Sequence, residues 1–102
     1  MSIWYLEDGY QTTVATPGLY TGAENVPELL VPARQASQLV ASLRLAACQP
    51  LVAAFFNFEL VDDTDLAGWQ SGLLYADWTP KPAYAAFKQA IADVAARKAA
   101  CS

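Results

Sequence analysis

Two short apolar runs constrain this chain more than any other feature. Ile3-Trp4-Tyr5-Leu6 is rich in the β-branched and aromatic residues that suit a pleated, buried surface. Leu51-Val52-Ala53-Ala54-Phe55-Phe56 follows Pro50 and shows no polar–apolar alternation. That pattern belongs to a parallel strand covered on both faces, not to an antiparallel strand with one wet face. Each run ends in acid: Glu7 and Asp8 after the first, Glu59, Asp62, Asp63 and Asp65 after the second. Strands are therefore expected over residues 3–6 and 51–58. Between them, Ala36, Leu39, Val40, Leu43 and Ala47 recur at helical spacing, predicting a helix over 32–47. Pro32 fits its first turn and Pro50 follows its end. A second helix is expected over 80–99. Thr79 would cap it, Pro80 would open it, and Tyr84, Phe87, Ile91 and Val94 would form its apolar stripe. Arg97 and Lys98 fall at its negative end, where cations are favoured.

The order strand, helix, strand, helix makes a βαβ unit with an added helix. The chain has 102 residues, of which 55% are hydrophobic and only 16% charged. Soluble domains carry about 25% charged residues. A small chain has a high surface-to-volume ratio and should be more polar, not less. Two parallel strands and two helices also cannot hide both sheet faces or both edges. The surplus apolar surface therefore points to a partner subunit or to the rest of a larger domain. The simplest such domain is a TIM (β/α)8 barrel, which takes about 250 residues. Residues 1–102 are read as one incomplete α/β domain of this kind.

Composition excludes other classes. Net charge is −4 and the six basic residues are scattered, so no patch for nucleic acid exists. No apolar run is long enough to span a membrane, and the N-terminus lacks the pattern of a signal peptide. The sequence leaves the cellular location open. There is no histidine, which removes Ser-His and Cys-His pairs and most zinc sites. No metal and no cofactor is expected. Cys48 and Cys101 lie near predicted helix ends and are expected as free thiols.

Chemistry is sought where the strands end, because parallel-strand folds keep their reactive groups there. Glu7 is the leading catalytic candidate; the alternative is that Glu7 and Asp8 only solvate a strand end. Gly9 then lets the backbone turn. Residues 7–32 form a long irregular connection, and long loops in compact domains are usually functional. Tyr10 and Tyr20 lie on it, suited equally to ligand contact and to packing. Asp62-Asp63-Thr64-Asp65 invites a calcium reading, but Ala67 and Leu74 occupy positions that need oxygen ligands, so these are expected as turn carboxylates. Trp69 is a candidate for stacking on a sugar ring. Trp78, beside Pro80, is expected to pack on the last helix.

At this point the sequence resembles a known family. Trp4-Tyr5-Leu6-Glu7-Asp8-Gly9-Tyr10-Gln11-Thr12 is similar to the strand-seven segment of clan A glycoside hydrolases, the cellulase-like retaining barrels. Phe55-Phe56-Asn57-Phe58-Glu59-Leu60 resembles their strand eight. Gly68-Trp69-Gln70-Ser71-Gly72-Leu73-Leu74, followed by Asp77-Trp78-Thr79-Pro80-Lys81-Pro82-Ala83-Tyr84, resembles the segment before their last helix. The order and spacing match over nearly the whole chain. The resemblance implies the C-terminal β-α-β-α quarter of the barrel and hydrolysis of O-glycosyl bonds by double displacement. It makes Glu7 the nucleophile, and Tyr10, Trp69 and Glu59 candidates for contact with a carbohydrate substrate. The clan's acid/base residue lies after strand four, usually in an Asn-Glu pair, and this sequence has no such pair. Glu59 or Asp62 could supply a second carboxylate by position, although Glu59 better suits a hydrogen-bonding or salt-bridging role. The isolated chain is therefore expected to be inactive, with the remainder of a barrel or a homo-oligomeric partner completing it. The rival reading is a non-catalytic module that homo-oligomerises through exposed apolar strands.

Overall fold

A computed structural model describes residues 1–14, 17–96 and 101. The predicted end of the second helix, including Arg97 and Lys98, lies outside the described residues. Four main elements follow in order: strand β1 (Ile3–Asp8), helix α1 (Pro32–Ala47), strand β2 (Val52–Asn57) and helix α2 (Pro82–Ala95). The strands pair in parallel, with Ile3 opposite Val52 and Asp8 opposite Asn57. The β-α-β-α arrangement expected from the sequence is the one observed. Strand β1 runs two residues further than expected, so Glu7 and Asp8 belong to the strand end itself.

Both helices start where proline dictates. Val31 and Lys81 each precede a proline and are extended, at ψ 152° and 164°. A residue before proline is pushed out of the helical region, so neither helix can begin earlier. This corrects the expected start of α2. Thr79 does not cap the helix; its hydroxyl donates to Asp77 Oδ1 at 2.6 Å. Pro82, not Pro80, occupies the first turn.

The core lies between the helices and one face of the sheet. Leu39 and Leu43 of α1 meet Ala83, Phe87 and Ala90 of α2, with Leu73 between them. Phe55 joins from β2, its ring 6.2 Å from that of Phe87. The expected stripe on α2 is rotated. Ala83 and Ala90 face inward, while Tyr84 and Ile91 are exposed. Alanines take these inward places and Tyr84 and Ile91 turn outward, while Phe87 stays in the core and Val94 packs against it. On α1, Ala46 is buried and Ala47 is not, and Gln35 is buried although polar. Its Nε2 donates to the carbonyls of Tyr10 and Gly72 at 3.2 and 3.0 Å. Gln35 thus pins the start of α1 to the loops after both strands.

The other sheet face is open, where a strand covered on both sides was expected. Trp4 is 58% exposed and Leu6 64%. The Trp4 and Phe56 rings lie 6.2 Å apart on this face. Among the described residues the sheet has two strands, so each keeps one unpaired edge.

The expectation of free thiols is corrected. Cys48 and Cys101 form a disulfide, with their Cα atoms 5.4 Å apart. Both lie beyond helix ends, and the packing of α1 against α2 brings those ends together. The bond spans 53 residues of sequence. Constraining a loop of that size in the unfolded chain is worth about 4 kcal/mol in the chain-entropy model. Reduction should therefore lower the unfolding free energy by about 2–4 kcal/mol, read from urea denaturation with and without a thiol reductant. Unchanged midpoints would show that the bond contributes nothing.

Candidate functional site

The loops that follow β1 and β2 come together over the C-terminal ends of the strands, and one buried cation fastens them. Lys81 sits at the threshold of α2 with its side chain wholly buried. Its ammonium donates to Asp62 Oδ1 at 2.8 Å, Thr12 Oγ1 at 2.8 Å and the Gln70 carbonyl at 3.1 Å. An ammonium has three donors, and all three are used. The Tyr75 ring lies 5.3 Å from Nζ. Burial holds Lys81 below the usual lysine range, and the Asp62 carboxylate opposes that shift.

Asp62 is equally committed. Oδ1 also accepts the Gly72 N–H at 2.8 Å, and Oδ2 accepts the Tyr20 hydroxyl at 2.7 Å. The Tyr20 oxygen in turn accepts the Ala76 N–H at 3.1 Å. Tyr20 therefore packs and does not face a ligand. Asp62 is no solvated turn carboxylate, and it cannot act as a second catalytic acid while it pairs with Lys81. Sequence reasoning missed this ring. The available signal was a lysine held extended by Pro82, one residue before an amphipathic helix. Asp63 and Asp65 do act as turn carboxylates, accepting the backbone N–H groups of Trp69 and Ala67, each at 2.9 Å.

Beside this ring opens a cleft of about 360 Å³, lined by Glu7, Gly9, Gln11, Phe58, Trp69 and Ser71. Glu7 stands exposed at its edge. Trp69 is half exposed and meets Phe58 edge-on, with centroids 5.9 Å apart. Gly9 is required by proximity and not by a left-handed turn. A Cβ there would stand 2.1 Å from the Phe58 carbonyl oxygen. The structure thus brings Glu7 and Trp69 to one cleft. Tyr10 instead packs against the core and its hydroxyl bonds Ser42. Trp78 is 66% exposed at φ 69°, rather than packed on the last helix as expected.

Glu59 lies behind the cleft wall. Its carbonyl accepts the Leu73 N–H at 3.2 Å and the Asn57 amide at 2.9 Å. Its Oε1 is buried without a hydrogen-bond partner among the described residues. Burial, reinforced by the nearby Asp63 charge, raises its pKa from 4.5 to about 6. Asp8 is also raised, by burial. Among the described residues no group of three or more His, Cys, Asp or Glu could hold a metal ion, and no helix is long and apolar enough to cross a membrane.

No protein-family model and no curated protein matches this sequence. Among solved structures, the chain is similar to a Bifidobacterium dentium beta-glucuronidase determined with coumarin-3-O-glucuronide. The TM-score is 0.65 at 15% identity, over 89% of this chain. The fold is a β-α-β-α arrangement matching a piece of a TIM barrel. This chain spans only 14% of that enzyme's length. At this identity the likeness extends to the fold and not to the substrate.

Two outcomes follow for the site. Lys81→Met leaves Asp62 charged, buried and unpaired, which should cost about 3–5 kcal/mol by chemical denaturation. Replacing both partners, Lys81→Met with Asp62→Leu, should recover much of that loss. A single variant as stable as the parent would show that the pair is not buried in solution. Glu59 has the opposite polarity of a stabilising carboxylate. Its folded pKa is raised, so its contribution is full below pH 4.5 and fades as pH rises through about 6. Glu59→Gln should remove that fall between pH 4.5 and 6 and leave the protein more stable at neutral pH. Urea midpoints across this range check it, and parallel curves for the two proteins would contradict it.

Proposed function

We propose that this chain supplies the nucleophile and part of the sugar-binding surface of a retaining glycoside hydrolase. What supports the reading is Glu7, exposed at the C-terminal end of a parallel strand and sharing a cleft with the half-exposed Trp69. In the double displacement, the Glu7 carboxylate attacks the anomeric carbon and forms a glycosyl-enzyme. A second carboxyl group, about 5–5.5 Å away in retaining enzymes, protonates the leaving oxygen and then activates water. Trp69 offers an aromatic face to the C–H side of the pyranose. Asp62 is tied to Lys81 and Glu59 does not line the cleft, so the acid/base group comes from outside these elements. Further strands of a barrel would supply it and cover the open face around Trp4 and Phe56. Clan A membership, and contact of Tyr10 or Glu59 with substrate after closure of the barrel, belong to this proposal.

A second reading is supported by the same exposure. A strand with large apolar side chains and a free edge can pair with a copy of itself. In that case the chain is a non-catalytic module that homo-oligomerises.

Size exclusion and hydrolysis of aryl glycosides, with the chain alone and mixed with an N-terminal barrel fragment, separate the two readings. The proposal expects no turnover alone, and turnover in the mixture that Glu7→Gln abolishes. A discrete homodimer with no affinity for the fragment would favour the module. Turnover indifferent to Glu7→Gln would remove Glu7 from the mechanism.

A further inference from the structure

The outward side of α2 carries less charge than a solvent-facing helix should. Of its 14 residues only Lys88 and Asp93 are charged, whereas a helix covered on one side alone turns a polar face to water. Asp93 points toward α1, its carboxylate 4.0 Å from the Arg44 guanidinium. Ile91 lies two residues earlier, about 200° round the helix, and so faces away from α1. Tyr84, two turns back, shares that side, and Lys88 sits between them. All three are exposed, Ile91 at 49%. Lys88 makes no ion pair among the described residues.

The far side of α1 is the counterpart. Between it and β1 runs an open groove of about 130 Å³, lined by Tyr5, Asp8, Ser42, Leu45, Gln49 and Phe55 and by no residue of α2. Leu45 is 66% exposed at its rim. Asp8 is its single charged group and has no ion pair among the described residues. One flank of the molecule therefore bears an apolar stripe with one cation, and the other a largely apolar groove with one anion. Each strand also keeps one unpaired edge. In the barrel arrangement that this fold matches, the edge of β1 lies on the groove side and that of β2 on the stripe side.

We propose that these flanks bind each other in successive copies of this chain, head to tail. The stripe of Tyr84, Lys88 and Ile91 of one copy seats in the groove of Tyr5, Asp8 and Leu45 of the next, and the edge of β2 pairs in parallel with the next β1. Unlike surfaces that meet in this way generate a ring or an open filament. With two strands per copy, the ring closes at four copies as an eight-stranded barrel. A barrel interior holds about three layers of four side chains, each layer drawn from alternate strands. Trp4 and Leu6 of β1 and Phe56 of β2, all exposed on the open face, supply one layer apiece. A copy stacked face to face would cover these three and leave both flanks in water, so the flanks select the ring. Lys88 faces Asp8 across each joint, opposite charges where like charges would forbid contact. The inference rests on the barrel likeness and not on Glu7, and it gives the homo-oligomeric reading a geometry.

Sedimentation equilibrium of the whole chain, from micromolar to submillimolar concentration, tests the proposal. The parent should reach the mass of four copies. Ile91→Lys, which spoils the stripe, and Leu45→Lys, which spoils the groove, should each raise the dissociation constant at least tenfold, because a lysine would be buried in an apolar contact. Both side chains are exposed in the single chain, so the circular dichroism of the dilute variants should match the parent; Ile91→Ala and Leu45→Ala replace a lysine variant that unfolds. An equal mixture of the two variants should form dimers and nothing larger, since one intact stripe then faces one intact groove. Lys88→Glu should also weaken assembly, by a factor that shrinks as salt is added. A parent that stays monomeric overturns the inference and leaves the Glu7 reading to its own experiment. Assembly that survives both flank variants and is lost in Trp4→Lys establishes face-to-face stacking and overturns it too. A mixture no more associated than its components ends the head-to-tail arrangement.

Discussion

A single ammonium, shielded from water at the foot of α2, determines how the loops of this protein are arranged. Lys81 reaches Thr12 in the connection after β1, and Asp62 and Gln70 in the connection after β2. A buried charge is tolerated only when paired and fully hydrogen-bonded, and here both conditions hold. The energetic worth of such a pair against an apolar substitute is small. Its geometric worth is large, because it accepts one arrangement of three segments and rejects others. Trp69 and Ser71 flank Gln70, and Gln11 precedes Thr12, so the cleft walls inherit their positions from this ring. Gln35 adds a second fastening from α1, again through carbonyls of both loops.

The sheet is a different case. Its inner face is packed through Phe55 against Phe87, and its outer face presents Trp4, Leu6 and Phe56. This is the surplus of apolar surface that the composition foretold. A two-stranded parallel ladder gains little from its own hydrogen bonds, and the helices cover one side only. Barrel closure and strand pairing between copies are both solutions to the same problem. They differ in whether Glu7 ends beside a second carboxyl group.

The sequence was legible over α1 and the two strands, whereas at α2 the first of two prolines, Pro80, points to a start two residues too early. α1 lies where its apolar spacing places it, and both strands were visible as unalternating runs. At the C-terminal ends of those strands Glu7 and Trp69 share one cleft. Illegible were features set by partners distant in sequence. Nothing local says that Lys81 is buried, since its three partners come from elsewhere in the fold. Of the stripe expected on α2, Phe87 and Val94 do face the core, but Ala83 and Ala90 hold the inward places expected of Tyr84 and Ile91, because small residues fit against α1. The thiols were assigned free because neither their spacing nor local pattern reveals that two helix ends converge.

The convergence of both loops on one lysine sets terms for anyone transplanting them. A loop exchanged after β1 must return a hydroxyl to the place of Thr12. One exchanged after β2 must return both an acid and a correctly aimed carbonyl. A loop after β1 lacking that hydroxyl would leave one Lys81 ammonium hydrogen without a partner, and one after β2 lacking the acid would strand the charge inside the protein.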